Sequence, residues 1–285
     1  MIIVKVMGGL GNQLFQYALY RQFQEDGKEA YLDTSWYDIT KNVNRKYQLD
    51  LFNTKIVKCT DKQKYLLANN DRSIFGVTYH KIFGNKKSHI VELDNGDFSP
   101  LISKLQTAYL DGYWQRKEYF INISEVLKKE IVLKENLNEK NEKMLFEINN
   151  TNSIGIHIRR GDYLVAADRY GGICTEKYYF SSIEYMEKQV ENGHFFVFSD
   201  DMIWCKHFLD KKKNVTFVDI NSNDDGYLDL ILMSKCKNMI MANSSFSWWA
   251  TWLNDNMNKI IVAPARWNNL YEGKDGIYDD TWIII

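Results

Sequence analysis

Residues 153–164 read SIGIHIRRGDYL. An apolar run, Ile154–Ile158, carries one histidine, His157, and ends in Arg159 and Arg160, followed by Gly161 and Asp162. A guanidinium at the end of a buried strand needs a partner, because removing a charge from water is costly unless it is paired. Arginine offers a planar fork that grips phosphate or carboxylate through two parallel hydrogen bonds. Two further polar clusters close later apolar runs. Ser199, Asp200 and Asp201 follow Phe195–Phe198, and Asn243, Ser244, Ser245, Phe246 and Ser247 follow Met239–Ala242 and open a helical pattern. Serine hydroxyls and the free N–H groups of a helix N-terminus suit an anion. A carboxylate such as Asp200 accepts the paired edge donors of guanine or bonds a ribose hydroxyl. Together these groups fit a nucleoside diphosphate.

Each cluster also has a purely structural reading. Serine is a preferred helix cap, so Ser244, Ser245 and Ser247 serve as a plain N-terminus. Asp200 and Asp201 serve as first-turn acids favoured by the helix dipole. His157 is then a core histidine. Adjacent strand residues face opposite ways, so one arginine meets the ligand and the other pairs with Asp162 or with a second domain.

The elements that carry these residues favour the ligand reading. Apolar runs at Ile154–Ile158, Phe195–Phe198, Val215–Val218, Met239–Ala242 and Ile260–Val262 alternate with helical patterns at Glu176–Val190, Ile203–Leu209, Tyr227–Lys235 and Phe246–Leu253. Continuous apolar strands between helices imply βαβ units and a parallel sheet covered on both faces. In such sheets ligands sit outside the carboxyl ends of the strands, where all three clusters fall.

The first half begins in the same way. Ile2–Val6 reads as a strand, then GGLGNQ as a tight turn, then Leu14, Phe15, Ala18, Leu19 and Phe23 as a helical stripe closed by Gly27. Tyr31–Leu32 is a second strand, and Thr107–Gln115 a strand running into a turn that carries Trp114. Residues 40–100 are less regular. Residues 122–150 are charged and helical, and the polar run Asn149–Ser153 marks the expected boundary between a domain 1–150 and a domain 151–285. The glycine turn resembles a dinucleotide fingerprint with Gly9 and Gly11 in place, but the third glycine position holds Leu14. Asp33 stands at the distance of a ribose-binding acid, which keeps an NAD(P)-dependent oxidoreductase open as an alternative.

Composition narrows the classes. The 285 residues have a formal net charge of −1, which excludes a bulk nucleic-acid binder and requires any anion site to be local. Four dispersed cysteines without a C-x-x-C pair imply reduced thiols and a cytoplasmic setting. The N-terminal apolar run is too short for a signal peptide, and no stretch reaches the length of a membrane span. No D-x-D sequence occurs and the histidines show no close pairing, so no metal site is expected. Arginine and a helix N-terminus can stabilise leaving-group charge without one.

GGLGNQLFQYA, DGYWQRKEYF, HIRRGDY, FSDD followed by Trp204, and NSSFSWWATWL, in this order, resemble the bacterial α-1,2-fucosyltransferases of glycosyltransferase family 11. The resemblance spans Met1 to about Pro264. It implies an α/β fold of GT-B type, with two Rossmann-like domains facing across a cleft: an acceptor-side domain 1–150 and a GDP-sugar-binding domain 151–285. It also implies GDP-β-L-fucose as donor substrate, a terminal β-galactoside acceptor attacked through its 2-hydroxyl, inversion, no metal and no separate cofactor, in surface-glycan (O-antigen) synthesis. Donor contacts would come from Arg159, Arg160, Ser199, Asp200, Asp201 and the segment Asn243, Ser244, Ser245, Phe246 and Ser247. Gly9, Gly11, Asn12, Gln13 and Trp114 would lie on the acceptor side. An acceptor hydroxyl needs a base, and Asp162, Asp168 and His157 are the candidates in that order. A lipid-linked acceptor would bring peripheral contact with the inner membrane face. Another GDP-sugar transferase of the same fold and a non-catalytic sugar-binding module are the competing readings.

Overall fold

The computed structural model describes residues 1–39, 45–68, 86–92, 99–161, 163, 167–270 and 277–285. The chain forms two compact units, Met1–Lys134 and Glu135–Ile285.

The first unit holds β1 (Ile2–Lys5), α1 (Leu10–Glu25), β2 (Ala30–Asp33), α2 (Asp61–Leu67), β3 (His89–Val91), β4 (Ala108–Asp111) and α3 (Ser124–Glu130). Its strands are parallel in the order β2-β1-β4-β3. Helix α1 is buried nearly all round, polar residues included. Its buried polar residues Gln13, Gln16 and Arg21 find partners. Gln16 accepts from the Met7 N–H (3.0 Å) and donates to the Gly112 carbonyl (2.9 Å), so it ties the turn after β1 to the turn after β4. Arg21 pairs with buried Glu130 at 2.9 Å, and the Tyr17 hydroxyl donates to the same carboxylate. Two elements escape the sequence reading. β3 is short, and α2 opens with a capping box in which Thr60 and Gln63 cap each other.

The second unit holds α4 (Glu139–Asn149), β5 (Asn152–Ile158), α5 (Glu176–Gln189), β6 (Gly193–Ser199), α6 (Met202–Phe208), β7 (Val215–Phe217), α7 (Gly226–Lys235), β8 (Asn238–Ile240), α8 (Ser245–Trp252), β9 (Ile261–Ala263) and β10 (Ile283–Ile284). All its strand pairs are parallel, in the order β7-β6-β5-β8-β9-β10. That is the doubly wound order, with its topological switch between β5 and β8. On one face of β5, Ile154, Ile156 and Ile158 join a core with Tyr178, Tyr179, Ile183 and Met186 of α5. His157, facing the other way, meets Phe246 of α8 with ring centroids 5.6 Å apart. Both faces are covered, which is why β5 reads as a continuous apolar run.

The boundary falls earlier than the polar run Asn149–Ser153 suggests. The charged stretch breaks after α3, and α4 belongs to the second unit. Its Asn141 exchanges amide hydrogen bonds with Asn221 at 2.8 and 2.9 Å, and Asn221 also donates to Asp229 of α7 at 2.7 Å. This amide pair and the buried side chains of Met144 and Ile148 anchor α4 in the second unit.

Burial pushes Asp229 up to about 6, with the Asn221 amide pulling the other way. A folded-state value above the unfolded one means that the folded unit binds the proton more tightly. The contribution of Asp229 to stability is therefore greatest at acid pH and falls as pH rises from about 4 to about 6. The ionised group costs on the order of 2–3 kcal/mol at neutral pH. Asp229→Asn is expected to melt higher than wild type near pH 7.5 and to lose that advantage near pH 4.5. A difference in melting that stays constant across this range would contradict the assignment.

Candidate functional site

The three polar clusters meet at the carboxyl edge of the second sheet, around the switch point. Arg159 and Arg160 leave β5, Ser199, Asp200 and Asp201 leave β6, and Asn243 and Ser244 follow β8. The arginines find their partners on the neighbouring strand. Arg159 Nη1 lies 3.1 Å from Asp200 Oδ2, and Arg160 Nε lies 3.1 Å from Asp201 Oδ2. The expected partner, Asp162, lies outside the described residues.

Asp200 does more than pair with one arginine. Its two oxygens also accept the backbone N–H groups of Arg160 (2.9 Å) and Gly161 (3.0 Å). Two adjacent N–H groups and a guanidinium make a cradle for an anion, and Asp200 fills it. Gly161 allows this approach, since a Cβ there would stand 2.7 Å from Asp200 Oδ2. The sequence reading turns Asp200 toward a nucleoside; in the structure both its oxygens are engaged in holding the β5 end. Asp201 caps α6, accepting from the Trp204 N–H at 3.1 Å, while its own N–H donates to Ser199 Oγ at 3.0 Å. The Arg160 guanidinium lies over the Trp204 indole, 4.1 Å from the ring centroid. The interval from Asp201 to Trp204 is a capping interval, and it is the one signal of that stack in the sequence.

The β8 end is built differently. Ser244 caps α8 through the Phe246 N–H, and Ser245 and Phe246 are half-buried at the helix start. Asn243 is buried: its amide donates to the Trp267 carbonyl (3.1 Å) and its oxygen accepts from the Cys174 thiol (3.3 Å). Ser247 is fully buried and its hydroxyl donates to the carbonyls of Ala242 and Ser244, each at 3.2 Å. Asn243 and Ser247 therefore brace the turn rather than line an open surface, a correction to the sequence reading. Tyr163, which that reading does not single out, donates to the Asn243 carbonyl at 2.8 Å and so ties the β5 end to the β8 end.

His157 is also corrected. Burial, then the Arg159 charge, push its imidazole down to about 3, and its Nδ1 is buried with no hydrogen-bond partner among the described residues. A ring so reluctant to charge is a poor base near neutral pH. Asp168 lies exposed in a short helical turn, Ala167–Tyr170.

In the first unit, the turns after β1 and β4 meet at the carboxyl edge of that sheet. Gly8 has φ +82, a left-handed value that glycine adopts without strain, and Gly9 is the N-cap of α1. Gly11 is buried in the first turn of α1. Asn12 accepts from the Gln115 amide at 2.7 Å. Gln13, expected to face a ligand, is fully buried; it donates to the carbonyls of Gly8 and Lys46 and accepts from the Gln48 N–H. Trp114 is likewise fully buried, at φ 55, with its backbone N–H and that of Tyr113 both donating to Glu92 Oε2. Gln13 and Trp114 shape this edge from beneath.

Among the described residues, no group of three or more His, Cys, Asp or Glu stands ready to hold a metal ion, and no helix is long and apolar enough to cross a membrane.

The family model described as glycosyl transferase family 11 matches residues 92–285. The chain is 34% identical to an α-1,2-colitosyltransferase of Escherichia coli, over 93% of this chain and 92% of that one. It is 31% identical to the O-antigen biosynthesis glycosyltransferase WbnK of Escherichia coli, over 97% of each. A human galactoside α-(1,2)-fucosyltransferase 1 is 27% identical over 50% of this chain and 42% of its own length. The solved structure of NodZ α-1,6-fucosyltransferase soaked with GDP-fucose superposes with a TM-score of 0.52 at 16% identity, covering 88% of this chain and 91% of that one. POFUT1 in complex with GDP gives a TM-score of 0.52 at 12% identity, over 91% and 97%. At these identities the two structures speak for the fold, which is that of fucosyltransferases of GT-B type.

The Asp200 cradle predicts its own coupling. Gly161→Ala and Asp200→Ala are each expected to destabilise the second unit by about 0.5–1.5 kcal/mol, because each takes the Asp200 carboxylate away from backbone donors for which water is only a partial replacement. In the double variant the two losses should not add, since both remove the same contacts. Denaturant unfolding of the four proteins measures this, and simple additivity would refute the cradle.

Proposed function

The chain belongs to glycosyl transferase family 11, and from that premise we propose that it moves L-fucose from GDP-β-L-fucose to the 2-hydroxyl of a terminal β-galactoside, with inversion, in O-antigen-type glycan synthesis. The observation that carries this reading is the pair of arginines at the switch point of the second sheet, fixed by carboxylates from the next strand, with a helix N-terminus at the same edge. Such an edge suits a diphosphate, whose charge grows as the sugar bond breaks. The names of the relatives support both the α-1,2 linkage and the O-antigen setting. The first of them also favours a second reading, in which the transferred sugar is colitosyl rather than fucosyl.

In the proposed reaction the acceptor hydroxyl attacks the anomeric carbon in line, its oxygen–carbon bond forming as the carbon–phosphate oxygen bond breaks. The proton goes to a base and the negative charge to GDP. Asp162 is the proposed base and Asp168 the second candidate. Arginine forks and the α8 N-terminus take up the leaving-group charge, so no metal is required.

The direct test offers GDP-fucose and GDP-colitose in turn with a panel of β-galactosides and follows product linkage. Arg159→Ala or Arg160→Ala is expected to cut turnover by about 100-fold, roughly 3 kcal/mol of lost charge stabilisation. Lysine should not restore the critical position, because it lacks the fork. Asp162→Asn should lose transfer and keep GDP affinity. Full activity in both alanine variants would overturn the diphosphate assignment.

Excess EDTA is expected to leave transfer rates essentially unchanged. Complete loss with EDTA, recovered on adding Mg²⁺ or Mn²⁺, would overturn the metal-free mechanism.

A further inference from the structure

Arg160 differs from Arg159 in how its side chain is held. Its Nε is 3.1 Å from Asp201, and its guanidinium lies 4.1 Å from the centre of the Trp204 ring. Among the described residues its two Nη groups have no hydrogen-bond partner, and the side chain is 29% exposed. One edge and one face of the guanidinium are therefore fixed by the protein, and among the described residues nothing claims the remaining fork.

Trp204 is itself held firmly. Its ring stacks on Phe208 at 4.5 Å with an interplanar angle of 14°, and Phe208 packs against Phe180 of α5 at 4.6 Å. Asp201 caps α6 through the Trp204 N–H, so the residue that bonds Arg160 Nε also fixes the backbone carrying the indole. Arg160 ends a ladder of three aromatic rings, rooted in two helices.

We propose that Trp204 is a positioning residue for the transfer reaction: its indole face and Asp201 together lock the Arg160 guanidinium so that its two Nη groups meet the donor diphosphate already oriented. This rests on the proposed function, since it takes the diphosphate as the anion. A long arginine side chain held in advance loses less rotamer freedom on binding than a mobile one. A ring beneath a cation also stabilises its charged plane without occupying its donors. An acidic partner on the same edge would compete for those donors. The division of labour is therefore chemical: Asp201 takes Nε, Trp204 takes the face, and the Nη edge is left for the ligand.

The test separates the hold on Arg160 from the identity of the ligand. In the free protein, the Arg160 Nε–Hε resonance is followed in wild type, Trp204→Phe and Trp204→Leu. Wild type should give a ring-shifted, slowly exchanging signal, and Trp204→Leu should lose both properties. GDP affinity is then measured for the same proteins and for a series with fluorinated tryptophan placed at 204 alone, which keeps the ring's shape while draining its face of negative potential. The dissociation constant is expected to rise stepwise with fluorine number, and Trp204→Leu to weaken GDP by about 3- to 30-fold. Trp204→Phe should fall between. Melting temperatures across the fluorinated series should not move. If wild type binds no GDP, the functional reading fails while the resonance still decides whether Trp204 holds Arg160. If GDP binds wild type and every fluorinated protein equally, or if affinity only follows melting temperature, the positioning role is refuted.

Discussion

The carboxylate of Asp200 is the contact on which the rest of the second unit's edge depends. It accepts the N–H groups of Arg160 and Gly161 and the side chain of Arg159, so a single group just past β6 sets where β5 ends and how its arginines leave it. Without it, two backbone donors and a guanidinium would compete for water at the place where a ligand must be bound. A half-buried positive side chain is held more favourably when countercharge is built beside it. The chain supplies it with consecutive aspartates, one for each arginine. Asp201 then passes the order on to α6, because the carboxylate that bonds Arg160 also caps the helix.

A second layer of constraint lies beneath the edge. Asn243 and Ser247 are buried, and their polar atoms are spent on the turn between β8 and α8. Tyr163 ties the end of β5 to the Asn243 carbonyl. The first unit works in the same way: Gln13 and Gln16 are interior amides that hold the loops on either side of the glycine turn. In both units, residues that look like ligand contacts prove to be the supports that fix the backbone around them. A turn whose backbone N–H groups are to meet an anion must be rigid, and buried amides supply that rigidity at known distances.

How far the sequence can be read follows from this. The βαβ succession and the placement of three polar clusters at strand ends are legible, because an uninterrupted apolar run as short as Ile154–Ile158, bounded by polar residues, fits a strand covered on both faces better than a helix. The pairing of Arg159 with Asp200 and of Arg160 with Asp201 is not legible, because pairing depends on which strands are neighbours. Gln13 misleads because it stands in a glycine-rich motif, whereas α1 is buried on nearly every side and a polar residue there faces protein. Asn141 misleads in the opposite direction: α4 reads as part of one charged helical stretch with α3, and the amide that ties it to Asn221 of the second unit stands among charged residues. The Thr60–Gln63 capping box is a helix-start signal that the sequence reading passes over in the irregular stretch 40–100.

The parallel order of the second sheet has a further consequence, for the time course of folding. β5 sits at the centre, yet its neighbours are β6 and β8, and the bonds that join its end to theirs span 40 residues for Arg160 to Asp200 and 80 for Tyr163 to Asn243. Long loops must close before these contacts reward the chain, so they form late and slowly compared with helix α5 or the β6–α6 turn. The Asp200 cradle can exist only once β5 and β6 are side by side. Until then the two arginines and the two aspartates are ordinary solvated charges, and the chain acquires its anion-binding edge in the same step that completes the centre of its sheet.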